Sequence, residues 1–203
     1  INSKHLLQVS KDKTAIRLAW MHKEKRTTAI TDDQAAQYLR QAINSKHLAQ
    51  DLIDDATLKL AMMCYIKRAP VITDDQAGLY FQDSIKSQHL PQASIDDATL
   101  KLAGMCCDSR TAVITDDQAV QYLGDALNSQ HLPQVSKDTA AFRLAWMRYD
   151  SRTSVIDDDQ AVQYFQQTLN SKHLHQGLKD DAARKLALMC CANRTTVIAD
   201  DQA

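Results

Sequence analysis

The sequence predicts an all-α fold, an α-solenoid or HEAT/armadillo-like superhelix built from tandem 42-residue two-helix repeats. Three observations carry this. The motif D-D-Q-A returns with its second aspartate at Asp33, Asp75, Asp117, Asp159 and Asp201, each 42 residues after the last. The histidines His5, His47, His89, His131 and His173 keep the same step. The whole chain of 203 residues holds only four glycines and three prolines, too few for the turns of an all-β fold.

The phase divides the chain as a partial repeat over 1–29, full repeats over 30–71, 72–113, 114–155 and 156–197, and the start of another over 198–203. It begins and ends in mid-pattern, so a fragment of a longer array is expected. Within each repeat the first helix opens on a capping box, an N-cap Thr with a Gln three residues later. Thr31/Gln34, Thr73/Gln76 and Thr115/Gln118 fit this, and Asp157/Gln160 is the variant of the fourth copy. The two aspartates fall in the first turn, facing the positive end of the helix dipole. Ala119, Tyr122, Leu123 and Leu127 then follow at helical spacing, which predicts a helix of about 13 residues ending near Asn128.

The link S-Q-H-L-P-Q turns the chain, with proline only at Pro91 and Pro133. A second helix is expected to start near Ser94 or Ser136 as N-caps. Leu102, Ala103, Met105 and Cys106 would be its core. The link D-S-R-T-A-V-I leads to the next capping box, where Ile114 before the cap is placed to pack on Ala119 as a hydrophobic staple. A pair of amphipathic helices cannot bury both faces alone, so neighbouring pairs must stack, and a right-handed solenoid is expected.

Composition limits the function. Net charge is −1, with 24% charged residues, so no bulk attraction to nucleic acid or anionic lipid arises. No apolar run reaches the ~18–20 residues of a membrane span. Five cysteines, Cys64, Cys106, Cys107, Cys190 and Cys191, lack any C-x-x-C spacing and read as reduced thiols from a reducing compartment.

Five repeated columns are candidates for chemistry. Paired carboxylates can serve as acid and base or hold a divalent cation, yet a reactive site is not expected at equal pitch five times over, and capping accounts for every residue of the motif. The histidines, one per repeat and about 10 Å apart, are poorly placed to share a zinc ion and read as turn residues held by hydrogen bonds. Arg26, Arg68, Arg110, Arg152 and Arg194 stand before the capping box, placed to pair with its aspartates or to cap the preceding helix's carbonyls. Tyr38, Tyr80, Tyr122 and Tyr164 read as core rings.

The fifth column is basic: Arg17, Lys59, Lys101, Arg143 and Lys185, in the middle of the second helix. With Trp20 and Trp146 it forms a possible interaction ladder, although Met62, Gly104 and Leu188 interrupt the aromatic stripe. Its plainer reading is a surface stripe whose aliphatic stems cover apolar neighbours. No catalytic set, cofactor motif or metal-ligand spacing stands out, so no enzyme, cofactor, metal or small-molecule substrate is expected. Protein is the expected partner. A one-base-per-repeat nucleic-acid reader is the alternative, weakened by the near-neutral charge.

The exact period and a short turn of the S-K-x-P kind in each unit resemble the SKWP repeats of type III effectors from plant-pathogenic bacteria, the XopAD group among them. The matching residues are Ser45-Lys46-His47, Ser87-Gln88-His89 with Pro91, Ser129-Gln130-His131 with Pro133, and Ser171-Lys172-His173. His stands where that family has Trp, and Pro falls one place later or is missing. The resemblance implies a very long virulence effector secreted into a host cell, with repeats that bind host proteins. It supplies no catalytic residue.

Overall fold

The computed structural model describes residues 3–23, 28–67, 72–192 and 194, and among them the regular structure is entirely helical. The helices are α1 (Ser3–Lys23), α2 (Asp32–Ile43), α3 (Gln50–Tyr65), α4 (Asp74–Ile85), α5 (Gln92–Cys107), α6 (Asp116–Asn128), α7 (Gln134–Tyr149), α8 (Asp158–Asn170) and α9 (Gln176–Cys191). Even-numbered helices are the first of each repeat and odd-numbered ones the second. The chain divides into two compact units, Ile1–Lys101 and Leu102–Ala203. In the first, α2 packs on α1 and α3, and α3 on α4; in the second, α7 packs on α6 and α8, and α9 on α8. Each is a stack of helix pairs of the α-solenoid kind.

The capping boxes form at every described copy of the motif. Thr31, Thr73, Thr115 and Asp157 are N-caps whose side chains accept the N–H of Gln34, Gln76, Gln118 and Gln160, and each Gln side chain accepts the cap's own N–H in return. The last copy of the motif, 198–203, lies outside the described residues. Behind each cap the core is filled in phase: Ala35 and Leu39, Ala77 and Phe81, Ala119 and Leu123, Ala161 and Phe165 are all buried. Ile114 and Ala119 are buried together, as a staple requires. Leu102, Ala103, Met105 and Cys106 are core residues as expected.

Two expectations are corrected. The second helices start at Gln92 and Gln134, so Ser94 and Ser136 lie inside the first turn and are not N-caps. Pro133 holds the N-cap position of α7 with no side-chain cap bond, and its carbonyl takes the Lys137 N–H at 3.3 Å. Proline suits this place because a helix start asks nothing of its missing N–H. The tyrosines at 38, 80, 122 and 164 are only half-buried. The residue one step on, Leu39, Phe81, Leu123 or Phe165, points into the core instead, about 100° further round the helix.

The second helices α5 and α7 end in Schellman turns without glycine. After α7, Ser151 N–H bonds the Arg148 carbonyl at 3.0 Å and Arg152 N–H the Met147 carbonyl at 2.9 Å, with Ser151 at φ 59°. Ser109 repeats this after α5 at φ 53°. The left-handed residue reverses the chain and sends the following arginine back over the stack.

Candidate interaction surface

In three of the repeats the turn between the two helices is fixed by a column absent from the sequence reading. An aspartate on the second helix of one repeat accepts a hydrogen bond from the serine that opens the turn of the next: Asp12 from Ser45, Asp54 from Ser87, Asp138 from Ser171. The serine oxygen in turn accepts the backbone N–H of the histidine two residues on, at 3.2 Å for His47, 3.0 Å for His89 and 3.1 Å for His173. A glutamine at the start of the same helix holds the aspartate from the other side, Gln134 to Asp138 at 2.8 Å. Asp138 is 3% exposed; burial alone would raise its pKa, but Ser171, Gln134 and Gln167 outweigh that and hold it below the ordinary carboxylate value. The signal was in the sequence, since Asp12, Asp54, Asp96, Asp138 and Asp180 are also 42 apart.

This explains the histidine column. Its backbone is what the turn grips, while the rings of His47, His89, His131 and His173 are exposed. The side chain of His5 lies outside the described residues. Among the described residues no group of three or more His, Cys, Asp or Glu is gathered for a metal ion.

Two members of the arginine column, Arg152 and Arg194, each perform both of the expected tasks with a single side chain. Arg152 donates to the Cys107 and Cys106 carbonyls at 2.7 and 3.0 Å, at the end of α5, and pairs with Asp116, the first aspartate of the α6 motif. Arg194 repeats this on Tyr149, Arg148 and Asp158, with Arg148 joining on Asp158 at 2.7 Å. Hydrogen bonding from Arg152 depresses the Asp116 carboxyl, and Asp116 in turn raises Arg152. Arg26 and Arg68 lie outside the described residues. Beneath the clamp, Cys106 bonds the Ile114 carbonyl at 3.6 Å, and burial lifts its thiol to about 11.

No family model, curated protein or solved structure matches this chain.

The basic ladder is distributed differently from rung to rung. Lys59 and Lys101 pair with Asp55 and Asp97, one turn earlier on their own helices, and Lys101 also lies over the Tyr65 ring at 5.8 Å. Arg143 reaches back to the Gly104 carbonyl at 2.8 Å and grips Asp108 with both terminal nitrogens. Lys185 is buried between the rings of Trp146 and Tyr149, at 4.1 and 4.3 Å from their centroids. Arg17 alone is exposed without a described partner. The column beside it decides these geometries. A Cβ on Gly104 would stand 3.1 Å from the Arg143 guanidinium, so the glycine makes room for arginine, whereas Trp146 offers a face to lysine.

In the first unit, Arg17, Trp20 and Lys59 line one groove of about 630 Å³ between α1 and α3. In the second unit Trp146 stays 37% exposed and Leu188, its counterpart on α9, 47% exposed. Among the described residues no helix is long and apolar enough to cross a membrane.

Proposed function

We propose that this chain is a non-catalytic repeat scaffold that binds other proteins through the faces of its second helices. The observation that carries the reading is a contrast between columns. Three sets of repeated polar residues are engaged in holding the array: the Thr or Asp and Gln of the capping boxes, the Asp–Ser pairs of the turns, the Arg–Asp clamps. The column at Trp20, Met62, Gly104, Trp146 and Leu188 changes from repeat to repeat, and Trp146 and Leu188 stand exposed. A constant frame that presents a changing, partly apolar stripe is how repeat proteins make a recognition surface. Aromatic residues on such a stripe are effective binding anchors.

Nucleic acid is the less favoured partner. Lys59, Lys101 and Arg143 are matched by carboxylates and Lys185 is enclosed by rings, so four of the five rungs of the ladder are already engaged within the chain and only Arg17 has no described partner. Location within a large secreted bacterial effector, acting on a host protein, rests on the resemblance of the S-K/Q-H turns alone. Affinity capture with cross-linking from a plant-cell lysate tests the scaffold, with gel shifts against mixed RNA and DNA as its counterpart. Specific protein capture lost on W146A/L188A supports the reading. A nucleic-acid shift that weakens steeply with salt refutes it.

A further inference from the structure

We propose that the groove between α1 and α3 docks an extended acidic segment of another protein, two carboxylates followed by one bulky apolar side chain. This rests on the scaffold reading and adds the chemistry of the partner. Four residues before Lys59 and Lys101 stand Asp55 and Asp97, each bonded to its lysine. In α1 the same position is Lys13, four before Arg17, so a neutralised pair has become a doubled positive charge. Lys13 and Arg17 are both exposed, and neither is ion-paired within the described residues. Both line the groove, whose floor is apolar, with Ile16, Trp20 and Leu52. A volume of about 630 Å³ accommodates a few side chains.

Spacing selects the form of the segment. Residues four apart on a helix are about 6 Å apart along its axis. Alternate residues of an extended chain are about 6.6 Å apart and point to the same side. An acid-x-acid sequence therefore sets its carboxylates on Lys13 and Arg17 together. Trp20 is a further turn along α1, where the next same-side residue would fall, so the segment reads acid-x-acid-x-apolar. On the opposite wall Asp51 is exposed and Asp55 is paired with Lys59, so the attraction for a segment's carboxylates comes from the α1 side of the groove, from Lys13 and Arg17.

The test uses the full chain and a labelled peptide, Ser-Glu-Ser-Glu-Ser-Phe-Ser, read by fluorescence anisotropy. Its controls are the Gln-for-Glu and Ala-for-Phe peptides and an oligothymidylate. The informative variant is Lys13→Asp, which writes into α1 the residue that α3 and α5 already carry, and its melting curve reports that it folds. Arg17→Gln is the second variant. The expected result is salt-sensitive binding of the acidic peptide, weakened about tenfold or more in either variant and in either altered peptide. No binding up to millimolar peptide, equal binding of the Gln peptide, or unchanged binding in Lys13→Asp overturns the proposal. So does oligothymidylate binding tighter than the peptide and abolished by Lys13→Asp. Lysate cross-linking separates this from the scaffold reading: protein capture that ignores Lys13→Asp, together with a failed peptide, removes the groove proposal and leaves the scaffold.

Discussion

Replacing Asp138 by Asn removes one charge and almost no volume, and it probes the joint that holds the turn at Ser171. Asp138 takes Gln134 on one oxygen, with Gln167 at 3.4 Å, and the Ser171 hydroxyl on the other. Asn keeps an acceptor for the glutamines but turns an amide toward Ser171. The serine oxygen already accepts the N–H groups of His173 and Leu174, so its proton loses its acceptor in a buried place. A hydrogen bond to a charged group contributes about 1.5–3 kcal/mol, and the glutamine bonds, long or solvent-accessible, add little. We therefore expect Asp138→Asn to cost about 2 kcal/mol at pH 7, or roughly 4–8 °C in Tm for a chain of this size.

The pH dependence supplies the sharper test. The native carboxyl is depressed, so the unfolded chain takes up its proton first as pH falls. The stabilisation is complete above the ordinary carboxylate range near ~4 and is lost as pH falls through and below it. Urea titrations of both proteins at pH 7, 5, 4 and 3 should show the gap at full size in the first two and closing in the last. A gap under about 0.5 kcal/mol at pH 7, or one of equal size at pH 3, would refute the assignment of Asp138 as the charged anchor of the turn.

Other outcomes follow from the same contacts. Gly104→Trp should displace the Arg143 guanidinium and destabilise; with Arg143→Lys added it recreates the Trp146–Lys185 pair, so the two changes should couple favourably by about 1 kcal/mol in denaturant titrations. Additive effects would contradict the reading that this column sets the rung geometry. Ser151→Gly should stabilise by about 0.5–1 kcal/mol, because serine at φ 59° carries a strain that glycine does not; an unchanged Tm contradicts this. In alkylation followed by peptide mass spectrometry at pH 8, Cys191, which is exposed, should react first, while Cys64 and Cys106 stay protected, their thiols lifted by burial to about 11. Since those pKa values lie above the unfolded value near 9, this stability is present below pH 9 and is lost as pH rises toward 11.

The parts of the fold legible in the sequence are those whose cause is local. A capping box is complete within four residues, so Thr115 and Gln118 announce α6 without any knowledge of its neighbours. Helix ends were harder because their signals departed from preference. Ser109 and Ser151 occupy left-handed positions where glycine is the usual marker, and Pro133 caps α7 through its carbonyl alone. The Asp–Ser joint went unread for a different reason: its partners are 33 residues apart, on different repeats, and periodicity shows that a column repeats without showing what it touches.

The same distinction bears on function. A column repeated unchanged states what every rung needs, which is why D-D-Q-A belongs to the frame: Asp116 faces the helix start and, from the far end of its own repeat, receives Arg152. Departures from the repeat carry the information specific to a place. Lys13 where the next two second helices have aspartate, glycine at 104 between Met62 and Trp146, and lysine at 185 closed under two rings are such departures. At Gly104 and Lys185 the structure shows the departure compensated by a neighbour, Arg143 in one case and Trp146 with Tyr149 in the other. At Lys13 the departure instead sets a second positive charge one turn from Arg17, across the groove from Asp51. A charge that the frame does not neutralise is open to a partner that does, and for that reason α1 is the first place to look for one.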